Sequence, residues 1–280
     1  MPTLRPAAEE KRKLPYMEIR WYSAAGLVMR EGDAAIALDP FFGMPVGCFT
    51  DKNPITLPKG DFGRVTDVFV THGHVDHIYH LPELCGASRF RIHCTPAPRK
   101  TLVRCGVSPE RIVPAAAGRT DSVSPFTVTA YKGCHCQYDL PIILKTVFRR
   151  RFFRHPVHAA RFLWVMLRFP EKGEILMYEV SCGGKRIQVL GSLGLDAHTE
   201  YPAGADVLIL PFQGRSGLEK YALGIVRRLS PRMVLLDHYD NAFPPVSDDI
   251  YTEDFIKILS AQEHIPCRAM VKGRNVHVET

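Results

Sequence analysis

No apolar run in this chain comes near the ~20 residues that a membrane-spanning helix needs. The longest uncharged apolar stretch near its centre is the six-residue FLWVML at 162–167. The first sixteen residues, MPTLRPAAEEKRKLPY, have mixed charge and two early prolines but lack the apolar core of a secretory signal. The eight cysteines (48, 85, 94, 105, 134, 136, 182 and 267) contain no C-x-x-C pair. A chain of this size needs no disulfide staples, so they read as reduced core thiols. There is no internal repeat at a solenoid period and no low-complexity linker. These absences leave a folded, cytoplasmic protein as the expectation. With 46% hydrophobic residues, 280 residues suffice for a sizeable core. Acid is missing from one segment in particular. Residues 140–170 carry seven of the 36 Lys and Arg and none of the 29 Asp and Glu, so the net charge of +7 belongs to that segment.

Behind a polar tail (1–16), MEIRWYS, GLVMR and AAIALDPFF are short apolar runs split by Ala-Ala-Gly and Glu-Gly-Asp, which predicts a strand meander. Residues 43–64 read as a long loop, VTDVFVT as a buried strand, HIYHLPELCG as a short helix, RFRIHC as a strand and TPAPRKTLVRCG as a helix stopped by Gly106. FTVTAYKGCHC is a strand entering a loop, and EILMYEVS and KRIQVLG form a hairpin through Gly183-Gly184. VLILPF, the helix LEKYALGIVRRLS, MVLLDHYD, the helix DDIYTEDFIKILSAQEH and a closing AMVKGRNVHVE complete the chain. Strand groups stand on both sides of the centre with helices in each half. This order predicts an α/β domain over 17–280 in which two sheets pack face to face with helices outside.

The stretch VFVTHGHVDH, residues 68–77, crowds His72, His74, Asp76 and His77 at the carboxyl end of a strand. On an extended loop residues two apart project to the same side, so His72 and His74 can meet one ion. Asp76 and His77, at the start of the next helix, face a neighbouring position, and Gly73 lets the backbone bend between the pairs. The plain alternative is a solvated polar loop or a phosphate-touching turn, but so dense a cluster of imidazole and carboxylate at a strand end has few other uses. Four side chains cannot close two coordination shells, so further ligands must come from later strand ends. His135 after FTVTAYKG and His238 after MVLL stand in such places. Cys134 and Cys136 point away from His135 if the strand continues. His80 either lines the pocket or covers a helix surface. Tyr239 and Asp240 adjoin His238 as candidates for substrate contact.

The set THGHVDH, His135, Gly191-Ser192-Leu193-Gly194 after a strand, and DHYD at 237–240 resembles the metallo-β-lactamase fold superfamily, from about Met17 to Glu279. The HYDNAFPP ending is most similar to the branch containing ascorbate-6-phosphate lactonase and the N-acyl-phosphatidylethanolamine phospholipase D-like hydrolases. The resemblance implies a four-layer αββα sandwich of two mixed sheets with outer helices. It implies that His72, His74 and His135 hold one metal, that Asp76, His77 and His238 hold a second, and that Asp39 of ALDPFF braces the metal loop. One position departs. The family's bridging aspartate, usually within G-D-T-G, is Ser192 here, and a hydroxyl brings neither anionic charge nor a two-oxygen bridge. Weaker occupancy of the second position, or a single metal, is therefore expected. Asp196, four residues on, either substitutes for the missing carboxylate or caps a turn, and the cap is the plainer reading.

The resemblance implies metal-assisted hydrolysis, with Zn²⁺ (one or two ions) lowering the pKa of water to ~7, and Mn²⁺ or Fe²⁺ also accepted by such ligands. Asp76 would orient the water or take its proton, acting on an ester, lactone or phosphodiester of a small anionic substrate. A reading of another class keeps the fold and removes catalysis, Ser192 marking a degenerate site in a binding or scaffolding protein. A metal oxidoreductase is a third, disfavoured because no flavodoxin-like or rubredoxin-like partner domain is visible.

The basic segment 140–170 reads as two amphipathic helices broken near Pro156. Its plain role is a helical cap packed on the body or on a second subunit of a homo-oligomer. Its functional role is a lid whose arginines face an anionic substrate or anionic lipid headgroups, with Phe or Trp in the membrane interface. Nucleic acid is the least favoured partner, since no recognised module accompanies the charge.

Overall fold

The computed structural model describes residues 16–43, 58–136, 153–170, 173–243 and 247–279. Strands β1 (Tyr16–Trp21), β2 (Leu27–Glu31) and β3 (Ala34–Leu38) form the expected meander. Burial alternates along β1, with Met17, Ile19 and Trp21 inward, as a half-covered antiparallel strand requires. Beyond β3 the sheet continues in parallel through β4 (Val65–Phe69), β5 (Arg91–Cys94) and β6 (Ile112–Pro114). The second sheet contains β7 (Thr120–Val123), β8 (Phe126–Lys132), β9 (Leu176–Cys182), β10 (Lys185–Leu190), β11 (Val207–Pro211), β12 (Val234–Asp237) and β13 (Cys267–Ala269), and β14 (Asn275–Glu279) returns to pair with β1. Each sheet has seven strands, in the orders β14-β1-β2-β3-β4-β5-β6 and β13-β12-β11-β10-β9-β8-β7.

Three apolar clusters define the layers. Between the sheets, Ile19, Trp21 and Phe69 meet Phe126, Tyr178 and Ile209. On the outer face of the first sheet, Val68 and Ile92 pack under α1 (Val75–Ile78), α2 (Leu81–Ala87), α3 (Pro96–Arg104) and α4 (Pro156–Arg168) through Ile78, Leu84, Leu102 and Val165. On the outer face of the second, Leu208 and Leu236 pack under α5 (Leu218–Leu229) and α6 (Glu253–Ile258). The result is helix, sheet, sheet, helix. β11, covered on both faces, is buried throughout and reads as a continuous apolar run for that reason. α5 buries Leu218, Ala222, Ile225, Val226 and Leu229, a helical stripe worth about 1.5–3 kcal/mol per large side chain. Gly183 and Gly184 both take positive φ, 55° and 79°, as a primed hairpin turn demands.

Several expectations need amendment. β6 and β7 were not anticipated. Thr-Asp-Ser-Val of β7 is polar and buries only Val123, so no apolar pattern marks it. The closing AMVKGRNVHVE is divided, its start in β13 of one sheet and its end in β14 of the other. The last helix begins at Glu253, later than its acids suggested, and runs on as a π turn over Leu259–Glu263. α4 starts with Pro156 in its first turn, where a missing N–H costs nothing. The part of the helix expected before Pro156 that runs through residue 152, and most of the 43–64 loop, lie outside the described residues. No helix among the described residues is long and apolar enough to cross a membrane.

Candidate metal centre

β3, β4, β8, β10, β11 and β12 deliver their carboxyl ends to one place. These ends carry Asp39, the Thr71–His77 loop, His135, Ser192, Gln213 and His238 in turn. A crevice at strand carboxyl ends is where open α/β sheets bind ligands. His72, His74, Asp76, His77, His135, Ser192, Gln213 and His238 line one small cavity of ≈ 20 Å³, enough for an ion or a water but not for an organic substrate.

Within it the side chains fall into two sets. His72, His74 and His135 offer donor atoms within 4.8 Å of one another, and so do Asp76, His77 and His238. His72 Nε2 lies 3.2 Å from His74 Nδ1, so the two rings aim at a common point. The Nδ1–H of His135 donates to the Cys136 carbonyl at 2.8 Å, leaving Nε2 as the nitrogen it offers. Asp76 Oδ2 lies 3.1 Å from His238 Nε2, and its Oδ1 3.8 Å from His77 Nε2.

Asp39 sets the tautomers. Its carboxylate accepts from the Thr71 N–H at 2.8 Å and from the Thr71 hydroxyl at 2.6 Å, and its Oδ2 is 2.8 Å from His77 Nδ1. The Thr71 hydroxyl has one hydrogen and gives it to Asp39, so at 3.0 Å it accepts from the Nδ1–H of His72. His72 and His77 therefore both present Nε2 lone pairs to the cavity. The backbone is shaped for this. Asp39 (φ 42°) and His238 (φ 55°) occupy the left-handed region, which Asp, Asn and His visit more readily than other residues with a Cβ. The Gly-x-x-Gly after β10 is a close-approach motif: a Cβ on Gly191 would sit 2.0 Å from Thr71 Oγ1, and one on Gly194 2.4 Å from the Cys134 carbonyl oxygen.

Charge follows the same design. Burial, reinforced by the neighbouring imidazoles of His77 and His74, holds the pKa of His72 well below the ordinary histidine value. Burial opposes ionisation of Asp76, but His77, the hydrogen bond from His238, and His74 outweigh it and hold its carboxyl well below the usual range. Burial likewise opposes charge on His238, and the Asp76 contact outweighs it, raising its pKa. Asp237, fully buried with neither carboxylate oxygen paired, is pushed well up by burial. At neutral pH the cavity thus presents a neutral His72 and an ionised Asp76, the forms that bind cations.

All six side chains read as metal ligands converge, and Asp39 sits behind them. Ser192 lines the cavity, but its Oγ accepts from the Cys136 N–H at 2.9 Å. Asp196 does not enter: it caps the turn through the His198 N–H (3.1 Å) and the Thr199 hydroxyl (2.9 Å) and pairs with Lys132 at 3.1 Å. Tyr239 is turned away, its ring 5.1 Å from Trp21 and its hydroxyl bonded to the Met270 carbonyl. Asp240 anchors the 23–24 turn through Ser23, the Ala24 N–H and Lys272. His80 is buried against Phe41 and Phe42, outside the cavity. Gln213, whose amide nitrogen lies 3.0 Å from His238 Nε2, was missed; its position just past β11 was the available signal.

Residues 35–239 match the model of the Beta-lactamase superfamily domain, and the chain belongs to that superfamily. Over 121 residues it is 30% identical to a UPF0173 metal-dependent hydrolase of Mesorhizobium japonicum, a match covering 42% of this chain and 48% of that protein. The chain therefore spans about half the length of this curated relative. Among solved structures, Igni18, a novel metallo hydrolase from Ignicoccus hospitalis, is similar with a TM-score of 0.64 at 19% identity, over 95% of this chain and 99% of that one. The metallo-beta-lactamase fold protein YhfI from Bacillus subtilis gives 0.58 at 13% identity, over 94% and 100%. At these identities the structural likeness shows the fold.

Proposed function

We propose that this protein is a metal-dependent hydrolase acting on an ester, lactone or phosphodiester bond of a small anionic substrate, with zinc as its preferred cation. The observation that carries this reading is the pair of donor sets, each within 4.8 Å, in one buried cavity. Five imidazoles and a carboxylate without thiolate suit Zn²⁺, and Mn²⁺ or Fe²⁺ accept the same atoms. His72, His74 and His135 would hold one cation, and Asp76, His77 and His238 the other. Such a cation supplies a water whose pKa falls to ~7 and compensates charge developing on the oxygen under attack.

The chain's own groups do the rest. Asp76, ionised and buried, is the acceptor that orients a water and takes its proton. The Asp39–Thr71 pair holds His72 and His77 in register. The HYDNAFPP ending supports the lactonase and phospholipase D-like branch as the narrower reading. The seven described cysteines are all free, which suits the cytoplasm.

The anionic part of the substrate has a fitting neighbour. Leu193, Gln213 and Gly214 line the metal cavity, and one or two residues further on Leu195 and Arg215 line an open groove of ≈ 520 Å³. Its other walls include Lys220, Tyr221 and Arg228 of α5, with no carboxylate among them. Arg215 stands 4.1 Å above the Tyr221 ring. Gly224 forms part of the groove wall, and a Cβ there would touch nothing within 4 Å, so the groove is open at that point.

The test is turnover of bis(p-nitrophenyl) phosphate, p-nitrophenyl acetate and γ-butyrolactone by protein purified without chelators and supplied with zinc. Hydrolysis of at least one, abolished in a folded His74→Ala variant, is expected. A zinc-loaded protein that turns over none of them would favour the binding-module reading, to which Ser192, already bonded to Cys136, lends its weight.

A further inference from the structure

α4 is apolar on two opposite arcs, and among the described residues only one of them is packed against the body. Ala159, Phe162, Val165 and Met166 face the body, where Phe162 meets Phe243 at 5.4 Å and the following Phe169 meets Tyr79 at 5.6 Å. The outer arc carries Val157, Leu163, Trp164 and Leu167, with Phe153 just before the helix. Of the eight large hydrophobic side chains exposed among the described residues, these five lie within fifteen positions, so they form a patch and not scattered exposure. Leu167 is 79% and Trp164 58% exposed.

The patch is rimmed with positive charge. Arg161 and Arg168, seven residues apart, run along one edge of the arc, and the Arg168 guanidinium sits 5.2 Å from the Trp164 ring. The Arg104 guanidinium bonds the Arg168 carbonyl, which brings α3 with its exposed Arg99 and Lys100 alongside. No acid occurs between 140 and 170. A symmetric contact with a second copy through α4 would bring one acid-free basic segment against another, which charge disfavours.

We propose that α4 docks the protein on an anionic lipid bilayer. The helix would lie in the interfacial plane with Trp164, Leu163 and Leu167 below the headgroups and the arginines on lipid phosphates. The proposal stands on this patch alone and is independent of the metal site.

The chain holds only two tryptophans, and Trp21 is buried at 1% exposure, so a change of Trp emission on binding reports Trp164. The full-length protein is mixed with vesicles of phosphatidylcholine alone or with added phosphatidylglycerol. The expected result is a blue shift and co-sedimentation with the mixed vesicles only, with affinity about 100-fold above that for neutral ones, the effect of two or three surface arginines. Both should fade in high salt. Leu163→Glu with Leu167→Glu, at exposed positions that leave the fold intact by circular dichroism, should abolish sedimentation, while Trp164→Phe should remove only the emission change. Equal partitioning into both vesicles, no binding to either, or a blue shift that grows with protein concentration in the absence of lipid would overturn the proposal; the last would point to a second copy.

Discussion

Asp39 Oδ2 lies 2.8 Å from His77 Nδ1, one carboxylate at the end of β3 fixing an imidazole that the next strand delivers. The same oxygen accepts the Thr71 hydroxyl hydrogen at 2.6 Å. Asp39→Asn keeps the size and tolerates φ 42° but replaces one acceptor oxygen with a donor. Zinc affinity is expected to fall about 10- to 100-fold with the fold retained. Competition against a chromophoric chelator measures this, and an unchanged affinity would remove Asp39 from the site's architecture.

Ser192→Asp places a carboxylate in the cavity that both donor sets line. An aspartate oxygen can also take over the Cys136 N–H that Ser192 Oγ accepts at 2.9 Å. Mass spectrometry of the intact protein under native conditions should show more bound zinc per chain in the variant than in the parent. Equal stoichiometry would mean that the hydroxyl does not limit occupancy.

His80 gives a pH dependence that needs no substrate. Its ring is buried with Nδ1 unpaired, and burial pushes its pKa from 6.5 down to about 3. The unfolded chain binds a proton near pH 6.5 that the folded protein refuses, so stability is full above that pH and declines as pH falls toward about 3. His80→Phe retains ring packing on Phe41 and Phe42 and removes the proton. Between pH 7 and 5 the parent should lose about 2 kcal/mol more than the variant in urea unfolding. Parallel curves for parent and variant would show that His80 is not held neutral.

The groove beside the cavity makes a kinetic prediction. Lys220→Glu combined with Arg215→Ala should raise KM roughly ten-fold for bis(p-nitrophenyl) phosphate and leave neutral p-nitrophenyl acetate unaffected. An equal loss for both substrates would mean a structural defect and not lost charge recognition.

The candidate ligands were legible because a motif at a strand end needs only local geometry. His72 and His74 are two residues apart, and His135 and His238 follow apolar runs that end where the chain must turn. Gly183-Gly184 was legible because few other pairs take that backbone shape. What sequence cannot carry is long-range pairing. Asp61, in an unremarkable loop, holds Arg20 and Arg30 at 2.9 Å and Tyr22 at 2.5 Å, and nothing local announces it. Tyr239 and Asp240 adjoin His238, yet packing against Trp21 and bonding to the 23–24 turn took both away from the cavity. Gln213 escaped because an amide is not a customary zinc ligand, so its strand-end place went unread. α4 shows apolar periodicity on two arcs, and the sequence alone does not say which one the body covers.

The most direct measurement is anomalous diffraction at the zinc edge from crystals grown with zinc. The expected map has a strong peak about 2.0–2.1 Å from the ring nitrogens of His72, His74 and His135, and a weaker one among Asp76, His77 and His238. Zinc bound elsewhere on the surface, with no peak at either set, would contradict the assignment of these six side chains to a metal centre.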